Sequence, residues 1–312
     1  MKKAILLLFI TFCFAADITF MFWNVENLFD QIDDVRKKDN DFLPIGSKRY
    51  TWRSYRLKIE HLADVINKAA PDCLAMVEVE NRHVLEILCA DLNHSEYWEI
   101  IIDEGPDLRG IDPALIFRKD KFIYCSHCYY PVYFSDRDYH SRPIMRVDLC
   151  DRKSKDTLAI FINHWPSRRG GKQHSDPYRI YAAHILEDAI KEICRCNPNY
   201  AMILTGDFND DREDECLQII EALDKVEYLE KELPKGVKGT YYHQGEWIHF
   251  DHFFVSNFYC SKLSIKRSKV FAPHWIREQP GQGPLRYYKG IQTTGGYSDH
   301  YPIILIIDNH SY

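Results

Sequence analysis

Several apolar runs of this chain each end in a short polar signature. Two of the runs, 158–162 and 201–204, are typical of buried strands. Polar side chains that follow buried strands gather at one edge of a sheet, where carboxylates and imidazoles suit a hard metal ion and an attacked phosphate. The signatures are Trp23–Asn27, Val77–Asn81, Asn163–Trp165, Thr205–Asn209, Phe250–His252 and Ser298–His300.

Composition describes a globular chain that can bury a core. The 312 residues are 46% hydrophobic and 28% charged, enough for one large or two ordinary domains. The net charge of −6 argues against broad nonspecific adhesion to nucleic acid, although a local basic patch stays possible. The ten cysteines show no repeated spacing, so no disulfide framework is predicted.

The first residues have the pattern of a secretory signal. Two lysines, Lys2 and Lys3, precede an apolar run over 4–14, and small residues follow at Cys13 and Ala15. A buried N-terminal helix or strand is the alternative. The run is too short for a permanent transmembrane helix. We therefore expect a signal peptide over 1–15 and a secreted or periplasmic chain without a stable membrane anchor, monomeric and folded as a single catalytic domain over 16–312.

Periodicity and turn residues predict interleaved strands and helices. The expected helices cover 50–70, 82–93, 177–196 and 213–223, and the segment 33–49 is expected to be a surface loop. The expected strands include 18–23, 72–79, 98–103, 114–117, 157–163, 201–205, 247–255, 264–271 and 301–307. Several neighbouring strands have no helix between them. The pattern favours α/β architecture with mixed sheets packed face to face over a barrel or a doubly wound parallel sheet.

Taken together, the signatures resemble the endonuclease/exonuclease/phosphatase superfamily, the magnesium-dependent phosphodiesterases and phosphatases related to DNase I. The resemblance runs from Phe20 to about Pro302 and includes five elements in the family's order, with Ser298–Pro302 last. It implies a four-layer α/β sandwich, two packed mixed β-sheets flanked by helices. That fold agrees with the element pattern.

The resemblance also implies a metal site. Glu78 is expected to be the main ligand, with Asp299 completing the site and Asn24 beside the metal and the phosphate. Mg²⁺ is the expected ion, with Mn²⁺ or Ca²⁺ as alternatives. Two nearby carboxylates, Glu80 and Glu26, lie two positions from Glu78 and Asn24 and are alternatives to them, although both are expected to be solvated charges at the rim.

A second group of residues is expected to act on the phosphate. His300 would be the general base, neutral near pH 7, with Asp251 fixing its tautomer. His164 matches a family histidine that hydrogen-bonds the phosphate. Asp207 and Asn209 lie two apart in an extended segment, so their side chains face the same way. The resemblance implies that this pair contacts the phosphate and positions the nucleophile or the leaving group.

Two loops carry further candidates for substrate binding. Arg109 and Asp112 would contact the phosphate or form an ordinary loop ion pair. Arg168, Arg169 and Lys172 directly follow the His164 signature and would grip neighbouring phosphates of a polymer, unless they form a solvated loop.

We predict from these features an exported, divalent-metal-dependent phosphodiesterase. The first hypothesis is a nuclease that hydrolyses DNA or RNA by metal-assisted in-line attack of water. The second is a lipid or small-molecule phosphodiesterase or phosphatase, for example one similar to sphingomyelinase. A catalytically inactive binding scaffold is the third, against which the intact set of candidate residues argues.

Overall fold

A computed structural model gives the conformation of residues 17–257, 265–278 and 283–307, so the expected signal peptide lies outside the described residues. The helices are α1 (Trp52–Ala69), α2 (Arg82–Ala90), α3 (Lys172–Cys196) and α4 (Glu215–Glu221). The strands are β1 (Ile18–Leu28), β2 (Cys73–Val79), β3 (Trp98–Ile101), β4 (Asp112–Arg118), β5 (Phe122–Tyr130), β6 (Tyr133–Phe134), β7 (Tyr139–His140), β8 (Ile144–Asp151), β9 (Thr157–His164), β10 (Ala201–Asp207), β11 (Val226–Tyr228), β12 (Tyr241–His243), β13 (Glu246–Ile248), β14 (Asp251–Ser256), β15 (Ile265–Val270), β16 (Tyr288–Lys289), β17 (Gln292–Thr293) and β18 (Ile303–Ile307).

Two six-stranded mixed sheets form the centre of the fold. The first has the strand order β15-β18-β1-β2-β4-β3 and the second the order β11-β14-β10-β9-β8-β5. Three short hairpins, β6–β7, β12–β13 and β16–β17, lie outside these sheets. No helix in the described ranges is both long and apolar enough to cross a membrane.

Alternation along the strands explains why the sheets pack face to face with helices outside. In β9, Ile160 and Ile162 belong to the hydrophobic cluster shared with β1 and β2 of the other sheet. The intervening residues of β9, Ala159 and Phe161, instead pack in the cluster formed with α3 and α4. Because successive side chains of a strand point to opposite faces, the second sheet packs against the first sheet on one face and against α3 and α4 on the other. The predicted four-layer α/β sandwich is confirmed.

The topology brings the polar signatures to one edge of both sheets. Strands β1 and β2 run parallel, as do β9 and β10, so their carboxyl ends meet there. The antiparallel strand β14 begins at that edge, where Asp251 pairs with Asp207. Strand β18 begins three residues after His300. The edge therefore carries all six signatures.

Several element boundaries differ from the prediction, and three of these differences have a cause in the hydrogen bonds or the backbone conformation. Strand β1 continues past Trp23 to Leu28 with an irregular register, because Glu26 and Asn27 adopt positive φ angles of 53° and 55° there. Helix α3 begins at Lys172 and holds Pro177 internally, since Arg179 and Ser175 bond to the carbonyl of Lys172 and fix the earlier turn. The single strand predicted over 247–255 is interrupted, because the amides of Phe250 and Asp251 turn to the Thr240 hydroxyl.

Candidate active site

A cleft of about 350 Å³ opens at the edge where the signatures meet. Three predicted residues, Asp251, Asp112 and Lys172, do not line it, and Asp251 lies directly behind His300. The cleft therefore brings together residues from both sheets. Ten of the predicted residues line it: Asn24, Glu78, Arg109, His164, Arg168, Arg169, Asp207, Asn209, Asp299 and His300.

His300 and Asp251 form a buried dyad. The Nδ1 atom of His300 lies 2.9 Å from Oδ2 of Asp251, whose side chain is fully buried. Nε2 of the same ring lies 3.7 Å from Oδ2 of Asp207. Burial alone lowers the pKa of His300, but the carboxylates of Asp251, Asp207 and Asp299 raise it to about 10. These carboxylates favour the protonated form of the ring, whereas the sequence analysis expects a neutral imidazole near pH 7.

Asp207 lies close to three other residues of the site, Asn24, His164 and His300. Its Oδ2 accepts a hydrogen bond from the amide of Asn24 at 3.0 Å, and Nε2 of His164 lies 3.8 Å away. Burial, with Asp251 and Glu78, raises the pKa of Asp207 to about 7 although His300 opposes the shift. Asp207 can thus gain or lose a proton near neutral pH.

The backbone at Gly206 holds the two catalytic strand ends together. A Cβ atom at this position would lie 2.3 Å from the carbonyl oxygen of Asn163 on the neighbouring strand. Any side chain there would force apart the strands that carry His164 and Asp207. Glycine is therefore required by the close approach of β9 and β10.

Glu78 and Asp299 are the carboxylates that fit a divalent cation best. Oε2 of Glu78 accepts from the Asn27 amide at 2.9 Å, which leaves Oε1 facing the cleft, 3.7 Å from His164 Nε2. Within the described ranges no hydrogen bond or ion pair reaches the Asp299 carboxylate, and Glu78 and burial both raise its pKa. Neighbouring anionic oxygens with free lone pairs match the preference of Mg²⁺ and related ions.

The backbone conformation of Glu78 supports this role. Its φ is +66°, and Asn209 of the opposite sheet also has a positive φ, of +55°. Non-glycine residues in this region cost about 1–3 kcal/mol each and concentrate at functional sites. The strain at the end of β2 aims the Glu78 carboxylate into the cleft.

A second set of ligand-type atoms belongs to Asp207, Asp251 and His300, which lie within 4.8 Å of one another. In this set Nδ1 of His300 is already bonded to Asp251. That geometry is typical of an imidazole and the carboxylate that orients it. The geometry of this set suits proton transfer, and Glu78 and Asp299 are the residues that could hold a metal.

His164 is held as a neutral imidazole. It is buried, and its pKa lies well below the usual value because of burial and the nearby cations Arg142 and Arg109. Its Nδ1 atom has no hydrogen-bond partner in the described structure. A neutral ring can donate one hydrogen bond toward a phosphate oxygen from Nε2 only when Nδ1 carries no proton. Nothing around Nδ1 conflicts with that tautomer.

Asn24 is placed beside the metal carboxylates, but its amide is already bonded. Its Nδ2 donates to Asp207 and its Oδ1 accepts from the Glu26 amide at 3.0 Å. The side chain therefore orients Asp207, and its Oδ1 keeps a second lone pair with which it could still bind a cation.

The four candidate cations differ in their surroundings. Arg109 is 46% exposed in its side chain and lies 3.8 Å from Glu78. Arg168 donates to Asp210, Asp211 and Asp214, and Lys172 bonds to Asp214. Arg169 is exposed at the cleft, and no hydrogen bond or ion pair to it occurs within the described residues.

Asp112 lies away from the cleft. Its side chain is 1% exposed and accepts a hydrogen bond from the Gly105 amide at 2.8 Å. Burial raises its pKa to about 6. In this structure it shapes the loop before β4.

Three charged residues near the site are buried although the sequence analysis expected two of them to be solvated and did not single out the third. Glu26 is 4% exposed and accepts from the amides of Tyr287 and Tyr288, and Glu80 is 8% exposed. The expectation that both are solvated rim charges is wrong, because loops distant in sequence cover them. Lys58 is fully buried behind Glu26 and donates to the Tyr297 carbonyl. Its position in the apolar stripe of α1 was the signal that could have found it.

Comparison with solved structures identifies the fold. A mannosyl-6-phosphatase from Bacteroides thetaiotaomicron is 17% identical and superposes with a TM-score of 0.64 over 93% of this chain and 99% of that one. The human nocturnin catalytic domain is 15% identical, with a TM-score of 0.61 over 93% and 94% of the two chains. TDP2 from C. elegans is 16% identical, with a TM-score of 0.63 over 94% and 75%.

Comparison of the sequence assigns the family. No curated protein sequence matches the chain. The profile of the Endonuclease/Exonuclease/phosphatase family, however, matches residues 19–309. This span contains both sheets and the complete cleft. The chain belongs to the endonuclease/exonuclease/phosphatase family, whose members are hydrolases that act on phosphoester bonds.

Proposed function

We propose that the protein is an exported, divalent-metal-dependent hydrolase of small phosphoesters. The observation that carries the hydrolytic part is the juxtaposition of the Glu78 and Asp299 carboxylates with the His300–Asp251 dyad in one cleft. A cation held by Glu78 and Asp299 would neutralise charge on a phosphate oxygen and on the leaving oxygen.

The side chains opposite the Glu78 and Asp299 carboxylates carry out proton transfer in this proposal. Asp251 holds Nδ1 of His300, so Nε2 is directed toward Asp207 and the cleft. Because the carboxylates of Asp251, Asp207 and Asp299 raise the pKa of His300 to about 10, His300 carries a proton at neutral pH. In the proposed mechanism Asp207 accepts the proton of the attacking water and His300 donates one to the leaving oxygen. His164 and Asn209 stabilise charge on the phosphoryl group.

The substrate class is inferred from the ion pairs of the 167–172 loop. Arg168 faces three carboxylates and Lys172 bonds to one of them, so these two cations are already neutralised. A polymer of phosphates needs free cations beside the scissile bond. Arg109 and Arg169 are not enclosed by several carboxylates in this way, so they are available to bind one phosphate. A small phosphoester is therefore favoured over DNA or RNA, in agreement with the mannosyl-6-phosphatase among the similar structures.

Export is supported by the sequence alone. The lysines, apolar run and small residues over 1–15 have the order of a signal peptide. Cell fractionation with cleavage-site sequencing tests this part, and a cytoplasmic, uncleaved chain would contradict it.

The central experiment measures hydrolysis of sugar phosphates, p-nitrophenyl phosphate, bis-p-nitrophenyl phosphate, sphingomyelin, RNA and plasmid DNA with Mg²⁺ or EDTA. We expect EDTA to abolish turnover and a sugar or aryl phosphate to be the preferred substrate. The nuclease hypothesis predicts instead that KM for DNA rises with salt at a log–log slope of about 0.7–0.9 per phosphate contacted. That hypothesis would be restored if the slope were lost in the triple variant Arg168→Ala, Arg169→Ala, Lys172→Ala. The control variant Lys68→Ala, on the exposed surface of α1, should retain the slope.

A further inference from the structure

Two arginines enclose the carboxylate of Asp210. This residue directly follows the segment Asp207–Asn209 at the end of β10, here called the catalytic turn. We propose that Asp210, Arg168 and Arg179, here called the arginine clamp, are positioning residues that set the geometry of Asp207 and Asn209. The inference rests on the proposed function, because it concerns the same reaction. It assigns to Arg168 a role other than contact with substrate.

Asp210 is saturated by its partners. It is 2% exposed, and its Oδ1 accepts from Nε of Arg168 at 3.0 Å while Oδ2 accepts from Nε of Arg179 at 2.5 Å. The Cys216 thiol also donates to Oδ2, at 3.0 Å. Its backbone carbonyl bonds to Nε2 of His252 at 2.9 Å. A buried carboxylate with this many charge-assisted bonds has one possible orientation.

Arg179 links the clamp to the loop that follows His164. Its side chain is fully buried on α3, and its Nη1 donates to the Pro166 carbonyl at 3.1 Å and to the Ser175 hydroxyl at 2.8 Å. Pro166 is two residues beyond His164 in the chain. The guanidinium thus fixes the exit of β9 relative to Asp210.

Arg168 links the clamp directly to the catalytic turn. Its Nε donates to the carbonyl of Asn209 at 2.9 Å as well as to Asp210. The backbone N–H of Asn209 in turn donates to Oδ1 of Asp207 at 3.0 Å. The side-chain Nδ2 of Asn209 donates to the Trp165 carbonyl at 3.0 Å. The Arg168 guanidinium therefore holds the backbone of Asn209, and the N–H of Asn209 orients the Asp207 carboxylate.

The clamp acts on one wall of the cleft only. Asp207 ends β10 of the second sheet and Asn209 lies in the turn that follows it, whereas Glu78 and Asp299 come from the first sheet and the segment before β18. Loosening the clamp should displace the proton-transfer groups while leaving the metal carboxylates in place. A displacement of about 1 Å at reacting groups can reduce turnover by about 10²-fold.

The experiment compares Asp210→Asn and Arg168→Ala with wild type on the preferred phosphoester. We expect kcat to fall about 10- to 100-fold, with KM and the half-saturating Mg²⁺ concentration changed less than about twofold. Because Arg168 is 22% exposed, free guanidinium ion at millimolar concentration should partly restore kcat of Arg168→Ala. Asp210→Asn keeps one acceptor oxygen but replaces the other by an NH2 group that cannot accept from an arginine, so it tests the same link without deleting an arginine.

A matched control is Arg212→Ala. Arg212 lies two residues beyond Asp210, bonds to Glu221 and Glu230, and covers the Tyr228 ring at 4.3 Å, but has no bond to the turn. It should lower the melting temperature as much as Arg168→Ala does while kcat stays at the wild-type value.

Hydrogen exchange of the Asn209 amide supplies a readout that needs no turnover. This buried N–H is bonded to Asp207 and should exchange faster in both clamp variants and not in Arg212→Ala. Unchanged exchange at Asn209 would overturn the clamp whether or not the protein hydrolyses phosphoesters. A higher KM with unchanged kcat in Arg168→Ala would also overturn it and would assign Arg168 to substrate binding. If wild type hydrolyses no phosphoester yet exchange at Asn209 rises, the proposed function fails and the clamp stands.

Discussion

Replacing Glu80 by glutamine should change how the stability of the protein depends on pH. Glu80 follows β2, is 8% exposed, and accepts from the Asp30 amide at 2.7 Å. Burial raises the pKa of Glu80 from 4.5 to about 8, and the negative charges of Asp30, Asp39 and Asp34 add to the increase. Glutamine keeps an acceptor for the Asp30 amide but carries no charge.

The sign and size of the effect follow from the difference between the folded and unfolded pKa. Because the folded pKa is the higher one, folded Glu80 binds a proton that the unfolded chain has lost between pH 4.5 and pH 8. The free energy of unfolding of wild type should therefore fall with rising pH across this window. At about 1.4 kcal/mol per pH unit, the loss attributable to Glu80 approaches about 5 kcal/mol at pH 8.

The assay is urea unfolding of wild type and Glu80→Gln at several pH values from 4.5 to 8.5. We expect the two unfolding free energies to be similar at pH 4.5 and the variant to become progressively more stable as pH rises. Glu86→Gln, an exposed position on α2, should follow wild type throughout. A constant difference between Glu80→Gln and wild type would refute the reasoning, since it would mean that Glu80 ionises equally in both states.

Three further predictions concern the site and its support. His300→Ala and Asp251→Asn should each lower kcat by about 10²–10⁴-fold, and the double variant should be little worse, because the two act as a unit; multiplicative losses in steady-state kinetics would contradict this. Glu78→Gln should raise the Mg²⁺ concentration for half-maximal activity, and an unchanged titration would exclude Glu78 as a ligand. Lys58→Met should lower the free energy of unfolding by about 3–5 kcal/mol because a buried cation is lost among carboxylates. In chemical denaturation the control Lys68→Met, at an exposed position, should lower it by less than about 0.5 kcal/mol. Equal effects of the two substitutions would refute a stabilising role for the buried charge of Lys58.

The sequence was informative where a strand end fixes the direction of a side chain. Asp207, His164 and Asp251 each lie at the end of a buried strand, and the register pairs Asp207 with both of the others. Continuous apolar runs predict the strands of His164 and Asp207, so the polar ends of these two strands could be placed at one edge from the sequence, whereas Asp251 was expected inside a longer strand.

Features that depend on contacts between distant segments could not be predicted in this way. Arg168 looked like a free cation because the carboxylates that enclose it lie more than forty positions later, within what reads as a turn. Glu26 is buried by amides that are 261 and 262 residues away in the chain. Burial of a charge by a remote loop leaves no local periodicity, so propensity and pattern give no signal for it.

The position of β1 between β2 and β18 has a consequence for biosynthesis. The indole of Trp23 donates to the His300 carbonyl at 2.9 Å across a separation of 277 residues, and the Ser298 hydroxyl donates to the Asn24 carbonyl. Contacts of such separation form late and slow the folding of a domain. Nearly the whole chain must therefore leave the ribosome before the cleft can assemble, and a nascent or truncated chain has no complete site.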